Sequence, residues 1–300
     1  MQGTSRAGRK VLATGSEYLR LATALLQRMR LTSATGGIWE AADVQWWSRR
    51  ERSTDRHGQL FWVDEQDEPL AAVILTDWGP SIQCDALVLP DDPGYERTVW
   101  QEALGRAGAL GSTTVEFPVR KDDAAAISEL AGAGLRATSE AGVVASWLEA
   151  ARRPAVSALP PGYRLMSRAD TPGRPHPMVA RNGPEVGKRL GWCSLYRPDL
   201  DLMVEAPDGQ TAGYGLFWAD PVTRVGLVEP MRTEEPHGGR GIASHILATG
   251  LGRLAASGCD RVKVGSDINL YLRAGFRPLH SATAATYARP PAMHGAPPGT

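Results

Sequence analysis

Two motifs near the end of the chain decide the fold: HGGRGIA at residues 237–243 and LYLRAGF at residues 270–276. Glycine lacks a Cβ atom, so the backbone at Gly239 and Gly241 can approach a ligand closely and adopt a positive φ angle. A helix that starts directly after such a turn directs unpaired N–H groups and its dipole towards an anion. The first motif therefore predicts a phosphate-binding turn or, as the simpler interpretation, a tight turn that only starts a helix.

The residues after the loop predict an amphipathic helix that Gly258 ends. Its apolar face consists of Ile242, Ile246, Leu247, Leu251 and Leu254. The loop matches neither standard nucleotide motif. Ser244 stands where GxGxxG needs its last glycine, and Gly187-Lys188 is followed by Arg189 where GxxxxGK[ST] needs serine or threonine. Arg240 can add charge-assisted hydrogen bonds to an anion held by the loop.

The same pattern occurs twice along the chain. Residues 71–90 and 212–230 each have the pattern of strand, turn and strand, and a helix and another strand follow each of them. Only the second copy has the glycine loop, so only the second copy is predicted to carry the site. Prolines and small residues around 152–162 separate the copies. We therefore predict a flexible tail at 1–15, a first domain at 16–152, a linker at 153–161, a second domain at 162–289 and a flexible tail at 290–300.

Together, the two motifs resemble the GNAT N-acetyltransferase superfamily. Residues 238–243 fit its loop [Q/R]-x-x-G-x-[G/A] except at the first position, which Gly238 occupies, and residues 270–276 fit L-Y-x-x-x-G-F. The tandem layout is similar to that of mycothiol synthase-like proteins. The resemblance implies an α/β (α+β) fold of two GNAT-like domains, each a mixed, mostly antiparallel sheet flanked by helices. The first copy would be a degenerate domain without the pyrophosphate loop.

The resemblance also implies acetyl-CoA as cosubstrate, a primary amine of a small molecule as acceptor, and no metal. The pantetheine arm would lie along the strand from Met231 to Thr233. The pyrophosphate would bind the backbone amides of Gly238, Gly239, Arg240, Gly241, Ile242 and Ala243. The second domain would then be the catalytic one.

Two side chains are the candidate catalytic residues. An alkylamine is protonated at pH 7, so a base must remove a proton before attack, and Glu229 is the best candidate. The alternative is a glutamate that pairs with Arg232, and His237 is the second candidate base. Tyr271 matches the general-acid tyrosine of the superfamily; the alternative is a buried tyrosine with a satisfied hydroxyl.

Composition limits the class of protein. The 33 Lys and Arg balance 33 Asp and Glu, which disfavours a general nucleic-acid binder, and no apolar run is long enough for a membrane span. The three widely spaced cysteines fit buried thiols in a reducing compartment. Arg far outnumbers Lys, which hints at a bacterial cytoplasm, and an Arg-rich start is more simply a tail and first helix than a targeting segment. We therefore expect a cytoplasmic protein whose oligomeric state stays open.

Some alternatives remain open from the sequence. Gly238 and the short segment before Tyr271 also fit an acyl-CoA-binding or inactive pseudoenzyme that acts as a regulatory module, and a protein or peptide N-acetyltransferase is a further option. Tryptophans are frequent in the first half; packing in the core or between domains is the simpler interpretation, and an aromatic binding cleft the other. Cations in residues 176–198 fit a solvated surface, or an acceptor that also carries a carboxylate or phosphate.

Overall fold

The computed structural model describes residues 8–90, 93–110, 114–279 and 284–288. The strands among them are β1 Arg9–Ala13, β2 Gln59–Val63, β3 Pro69–Asp77, β4 Ile82–Val88, β5 Val115–Arg120, β6 Arg136–Val143, β7 Ser146–Glu149, β8 Arg164–Ser167, β9 Asp201–Glu205, β10 Thr211–Ala219, β11 Val225–Thr233, β12 Arg261–Val264, β13 Arg277–Pro278 and β14 Ala284–Ala288. The helices are α1 Gly15–Thr32, α2 Ala41–Trp47, α3 Glu96–Ala109, α4 Ala124–Gly132, α5 Val179–Asn182, α6 Val186–Leu190, α7 Ile242–Ala256 and α8 Asn269–Arg273.

The strands form two seven-stranded sheets that helices flank. The order in the first sheet is β1-β2-β3-β4-β5-β14-β6, and the order in the second is β13-β7-β12-β11-β10-β9-β8. Most neighbours are antiparallel, while β4 with β5 and β11 with β12 are parallel pairs. These two mixed, mostly antiparallel sheets confirm the predicted fold class.

Each sheet contains one strand from the other half of the chain. Strand β7 lies before the predicted linker at 153–161, yet it pairs with β12 and β13 in the second sheet. Strand β14 lies at the other end of the chain, yet it pairs with β5 and β6 in the first sheet. The predicted boundaries therefore do not describe sheet membership at these two strands, because a local sequence pattern does not specify a distant pairing partner.

The start of the chain also differs from the prediction. Residues 9–13 form strand β1, which pairs antiparallel with β2 along its whole length and buries Ala13. The predicted flexible tail over 1–15 is therefore wrong for these residues, because their backbone completes the edge of the first sheet. The rest of that prediction, residues 1–7, and the predicted tail at 290–300 lie outside the described residues.

Helix α7 packs across the second sheet and fixes the position of the glycine loop. Its buried face holds the predicted residues Ile242, Ile246, Leu247, Leu251 and Leu254. Gly250 allows the close approach to β10, because a Cβ atom there would lie 2.1 Å from the Phe217 ring. The start of α7 is thereby held beside the end of β11.

No helix in the described part of the chain combines the length and apolar character that crossing a membrane requires. The three cysteines, Cys84, Cys193 and Cys259, are buried and unbridged.

Candidate active site

The candidate site lies where the two parallel strands of the second sheet separate. Strand β11 pairs with β12 only from Val225 to Leu227, against residues 261–263. Beyond Leu227, β11 continues to Thr233 with β10 as its pairing partner, and the β10 register shifts between Gly215 and Phe217. The separation leaves a cavity of about 370 Å³ between the two strands.

Both halves of the chain line this cavity. The second half contributes Val228, Glu229, Pro230, Met231, Lys263, Val264, Gly265, Ser266 and Tyr271. The first half contributes Trp39, Asp43, Trp47, Trp78 and Val143. The two predicted catalytic residues, Glu229 and Tyr271, thus lie in one cavity, although more than forty positions separate them in the sequence.

Glu229 is a half-buried carboxyl on β11. Burial raises its pKa above the usual value of 4.5, the neighbouring Asp43 carboxyl raises it further, and the charges of Arg49 and Lys263 oppose the shift to a smaller extent. The alternative partner Arg232 contacts Glu234 instead, at 3.4 Å. Glu229 is therefore a stronger base than an ordinary carboxylate.

Tyr271 lies on the short helix α8 and is buried, with its ring edge-to-face on Phe276 at 5.8 Å between centroids. Burial first, and the charge of Glu229 second, raise the pKa of Tyr271 to about 12. The hydroxyl is therefore protonated throughout the physiological pH range and can act as a hydrogen-bond donor.

The glycine loop leads into α7 with its amides free. Gly239 and Gly241 adopt φ angles of +72° and +77°, and Gly241 is the N-cap of α7 without a side-chain cap. Among the described residues, no hydrogen bond is donated by the backbone amides from Gly239 to Ser244, which include those of Ile242 and Ala243. The start of α7 thus offers a set of unpaired N–H groups to an anion.

Arg240 and Gly238 complete the loop. Arg240 is exposed, and none of its contacts in the described structure is an ion pair or hydrogen bond. Gly238 has φ −59°, and a Cβ atom there would meet only the Glu235 carbonyl, at 3.4 Å. The departure from the superfamily pattern at Gly238 therefore removes a side chain without altering the backbone.

The strand residues predicted for the pantetheine arm lie next to the cavity and the loop. Met231 lines the cavity. Thr233 pairs with Gly213 of β10, and its buried hydroxyl has no hydrogen-bond partner among the described atoms. An unpaired buried hydroxyl fits a polar ligand group better than it fits an apolar core.

The second candidate base lies elsewhere. His237 Nδ1 is 3.0 Å from the Tyr163 hydroxyl, and the two rings meet edge-to-face. His237 is not among the described residues that line the cavity. Of the two candidate bases, only Glu229 lines the cavity that also contains Tyr271.

The sequence analysis did not identify Asp43 and Lys263, which are both buried. Lys263 Nζ lies 3.1 Å from Asp43 and 3.5 Å from Glu40, and it also donates to the Ile38 carbonyl. Glu40 in turn accepts from buried Arg30 at 2.9 Å. One signal for them was present in the sequence: each is a charged residue inside an apolar segment, Asp43 in AADVQWW and Lys263 in RVKV. A charge in such a segment is expected to be buried, and buried charges are almost always paired.

The cations of residues 176–198 lie mostly in ion pairs. Arg181 makes a two-bond contact with Glu234 at 2.9 Å, Lys188 lies 3.3 Å from Glu185, and Arg189 lies 2.9 Å from Asp55. None of the three lines the cavity that contains Glu229. This arrangement supports the simpler interpretation of a surface segment.

No group of three or more His, Cys, Asp or Glu within the described ranges is arranged to hold a metal ion.

Comparisons with known proteins agree with this geometry. Residues 159–276 match the Acetyltransferase (GNAT) family. A GCN5-related N-acetyltransferase from Sphaerobacter thermophilus is 18% identical with a TM-score of 0.57, covering 93% of this chain and 95% of its own. A tandem GNAT protein from the clavulanic acid biosynthesis pathway, in the form without acetyl-CoA, is 17% identical with a TM-score of 0.62, covering 93% and 97%.

At such identities the structural matches establish the fold alone, and no curated protein matches the sequence. The family match covers the separated strands, the glycine loop and α8, and the structural matches extend over both sheets. Residues 159–276 are therefore similar to the GNAT acetyltransferase family, and the chain as a whole has a fold similar to that of a tandem GNAT protein.

Proposed function

We propose that this protein is an N-acetyltransferase that transfers an acetyl group from acetyl-CoA to a primary amine of a small molecule, with the domain containing α7 as the catalytic one. The observation that carries the proposal is the meeting of Glu229 and Tyr271 in one cavity lined by β11, the strand that leads to a helix start with unpaired amides. A base, a hydroxyl donor and an anion site are the groups that acetyl transfer from a nucleotide thioester requires.

The loop suits the pyrophosphate of acetyl-CoA. The free amides from Gly239 to Ser244, together with the α7 dipole, favour an anion, and exposed Arg240 can add a charge-assisted hydrogen bond. Met231 and Thr233 lie between this loop and the cavity, where an extended arm would run along β11. Bound acetyl-CoA supplies the activated acetyl thioester.

Glu229 is the base in this proposal. The acceptor arrives as an ammonium ion with a pKa of about 10, so its proton must leave before nitrogen can attack the acetyl carbon directly. Efficient proton transfer at neutral pH needs a base with a pKa near the working pH. Burial and Asp43 move the pKa of Glu229 in that direction.

Tyr271 acts on the leaving sulfur. A thiol has a pKa of about 8.5, well below the value of about 12 for Tyr271, so a net transfer of the tyrosine proton to the thiolate is unfavourable. We assign Tyr271 the role of a hydrogen-bond donor that stabilises the departing sulfur. The ammonium ion loses two protons in all: Glu229 takes the first before the attack, and the second, released from nitrogen as the amide forms, balances the thiolate that leaves.

The cavity walls favour a small-molecule acceptor over a protein or peptide. Trp39, Asp43 and Trp78 come from the first half and line the cavity together with residues of β11. A peptide acceptor would need an open groove in that place. The first half thus serves as a wall of the acceptor site in this proposal, without a pyrophosphate loop of its own.

Calorimetry of acetyl-CoA binding to the full-length protein tests the proposal. One site is expected, and Gly241→Glu should abolish it, because the new carboxylate would stand among the amides that hold the anion. Gly252→Glu is the matched control: it places the same side chain in α7 where a Cβ atom meets nothing within 4 Å. Circular dichroism would establish that both variants fold.

Two results would change the conclusion. Two binding sites would show that the first half also holds acetyl-CoA. An absence of binding up to millimolar concentration would overturn the enzyme and favour a pseudoenzyme with a regulatory role.

A further inference from the structure

We infer that the acceptor is a primary amine attached to an aromatic or similarly flat apolar body, with no carboxylate beside the amine. This inference deepens the proposed function and rests on it. It follows from the indole side chains and the charges that surround Glu229.

Three tryptophans form one wall of the cavity. Trp39 and Trp47 meet edge-to-face at 4.9 Å between ring centroids, and Trp47 and Trp78 do the same at 5.7 Å. Trp47 is buried between the other two rings, which are half-buried. Aromatic faces and edges in this arrangement bind flat apolar groups by stacking and attract cations to their faces.

The outer two indoles are held in fixed orientations. Trp39 Nε1 donates to Asp85 at 2.7 Å, and Trp78 Nε1 donates to Gln83 at 3.0 Å. Gln83 also donates to Asp85 at 2.7 Å, so neighbouring side chains of β4 anchor both rings. Because the N–H groups of both indoles are already hydrogen-bonded to β4 side chains, the rings offer carbon surface to a ligand. A wall that is fixed before binding also loses little entropy when the ligand binds.

The charged side chains of the cavity do not suit a substrate carboxylate. Asp43 and Glu229 are its carboxyl groups, and Lys263 is the one cation among its described lining residues. Lys263 already donates to Asp43 and to the Ile38 carbonyl, and it also lies 3.5 Å from Glu40, so its charge is already paired with two carboxylates. A carboxylate in the acceptor would meet two acids and a cation that is already paired.

The nearest arginines are engaged elsewhere. Arg49 donates from Nε to Asn182 at 2.7 Å and stacks over Trp46 at 4.0 Å. Arg52 stacks over Trp78 at 4.1 Å and donates to the Trp47 carbonyl. Neither lines the cavity, so neither is placed to form an ion pair with an acceptor carboxylate there.

The remaining lining residues disfavour an acceptor that carries a second ammonium group. Val228, Pro230 and Val264 are apolar. The second acid, Asp43, is already paired with Lys263, so a second ammonium group, as in a polyamine, would lose its hydration without finding a free carboxylate. A single ammonium near Glu229 is matched by the carboxyl that is to take its proton. The cavity volume of about 370 Å³ accommodates one aromatic ring with a short alkylamine chain.

Matched amines test the inference by direct binding to the full-length protein. Calorimetry would compare 2-phenylethylamine, phenylalanine and phenylalaninamide, which share the ring and differ in the group beside the amine, with spermidine as a polyamine. Phenylalanine is expected to bind about tenfold or more weakly than 2-phenylethylamine, and phenylalaninamide to recover most of the difference. Equal binding of phenylalanine, or phenylalaninamide as weak as phenylalanine, overturns the charge argument.

Variants of the indole wall test its part separately. Trp78→Leu should weaken 2-phenylethylamine binding about fivefold or more, while Trp78→Phe, which keeps an aromatic face, should retain most of it. Trp192→Leu is the matched control, because Trp192 is 57% exposed and lies outside this cavity. Unchanged affinity in a folded Trp78→Leu variant, or an equal loss in Trp192→Leu, overturns the assignment of the indole wall.

Binding and turnover together distinguish the two proposals. Selective binding of 2-phenylethylamine without acetyl-CoA-dependent acetylation would refute the proposed function and leave the amine site. Acetylation of spermidine or amino acids in preference to arylalkylamines would refute this inference and leave the acetyltransferase.

Discussion

At the scale of single residues, the candidate site depends on the carboxyl of Glu229, whose pKa is influenced by two neighbours from different halves of the chain. Asp43 raises the pKa of Glu229, while Lys263 lowers it and is itself paired with Asp43. A half-buried carboxyl that lies near a negative and a positive charge has a pKa that is raised towards the working pH. Acid–base residues at active sites show this kind of balance.

Replacing Glu229 by Gln should remove the base and keep the shape of the site. We expect kcat/KM to fall by about 100-fold or more, in line with the usual contribution of a general base. The pH–rate profile of the unmodified protein should rise through a pKa above the usual carboxyl value, because the charged form of Glu229 is the active one. In Glu229→Gln this rising limb should be flat, and an unshifted profile would exclude Glu229 as the base.

Asp43→Asn should move the rising limb without removing it. Loss of the Asp43 charge stabilises the carboxylate form of Glu229, so its pKa falls and the limb moves to lower pH. The test is the pH at the midpoint of the rising limb of kcat/KM. A merely structural role of Asp43 would lower the rate at every pH and leave this midpoint unchanged. Thermal unfolding serves as the control for the ion pair that Lys263 loses.

Tyr271→Phe removes the hydroxyl and keeps the ring against Phe276. We expect kcat to fall about tenfold, corresponding to a hydrogen bond worth about 1.4 kcal/mol in the transition state, and the Kd of acetyl-CoA to change little. Steady-state assays measure kcat and calorimetry measures the Kd of acetyl-CoA, so the effect on turnover is separated from the effect on binding. An unchanged kcat would show that Tyr271 only packs in the core.

At the scale of elements, the loop before α7 has glycines of two kinds. Gly239 has φ +72°, a conformation that residues with a Cβ atom rarely adopt, whereas Gly238 has φ −59°, and a Cβ atom there would meet only the Glu235 carbonyl, at 3.4 Å. The backbone conformation at 239 therefore requires glycine, whereas the conformation at 238 also permits a residue with a side chain.

Substitutions at these two positions should thus differ. Gly239→Ala is expected to destabilise the fold by about 1 kcal/mol through its left-handed conformation. Gly238→Arg should leave stability unchanged and tighten acetyl-CoA binding, because it restores a cation next to the free amides. Urea unfolding and calorimetry measure both effects, and an equal loss of stability in the two variants would contradict the distinction.

At the scale of the whole molecule, the exchanged strands join the two sheets. Strand β7 separates β12 from β13, and β14 separates β5 from β6, so neither half contains all the strands of its own sheet. The buried pair between Lys263 and Asp43 adds a second link at the site itself. The candidate cavity therefore depends on both halves of the chain.

Separating the halves should abolish folding. Residues 154–300 alone lack β7, which leaves β12 and β13 without their shared neighbour, and we expect no cooperative thermal transition and no acetyl-CoA binding. Residues 1–152 lack β14 and should behave likewise. Co-expression of the halves is the control, since it returns both strands. A cooperatively folded 154–300 segment that binds acetyl-CoA would show that the exchange is dispensable.

The sequence by itself determined the fold class, the position of the glycine loop and the residues Glu229 and Tyr271 as candidates. These depend on local periodicity, glycine conformation and short motifs, which neighbouring residues specify. It did not determine that β7 and β14 exchange sheets, because the pairing partners of a strand lie far away in the chain.

Only the tertiary structure brought Asp43, Lys263 and the three indoles of Trp39, Trp47 and Trp78 to the cavity. In the sequence, each of these residues fits an ordinary role in a helix, a strand or a core. Asp43 and Trp47 reach the cavity through the docking of α2 against β11, and Trp39 lies just before α2. Trp78 directly follows β3, and Lys263 lies on β12. Burial is what makes a charge or an indole chemically distinctive, and burial is a property of the folded chain as a whole.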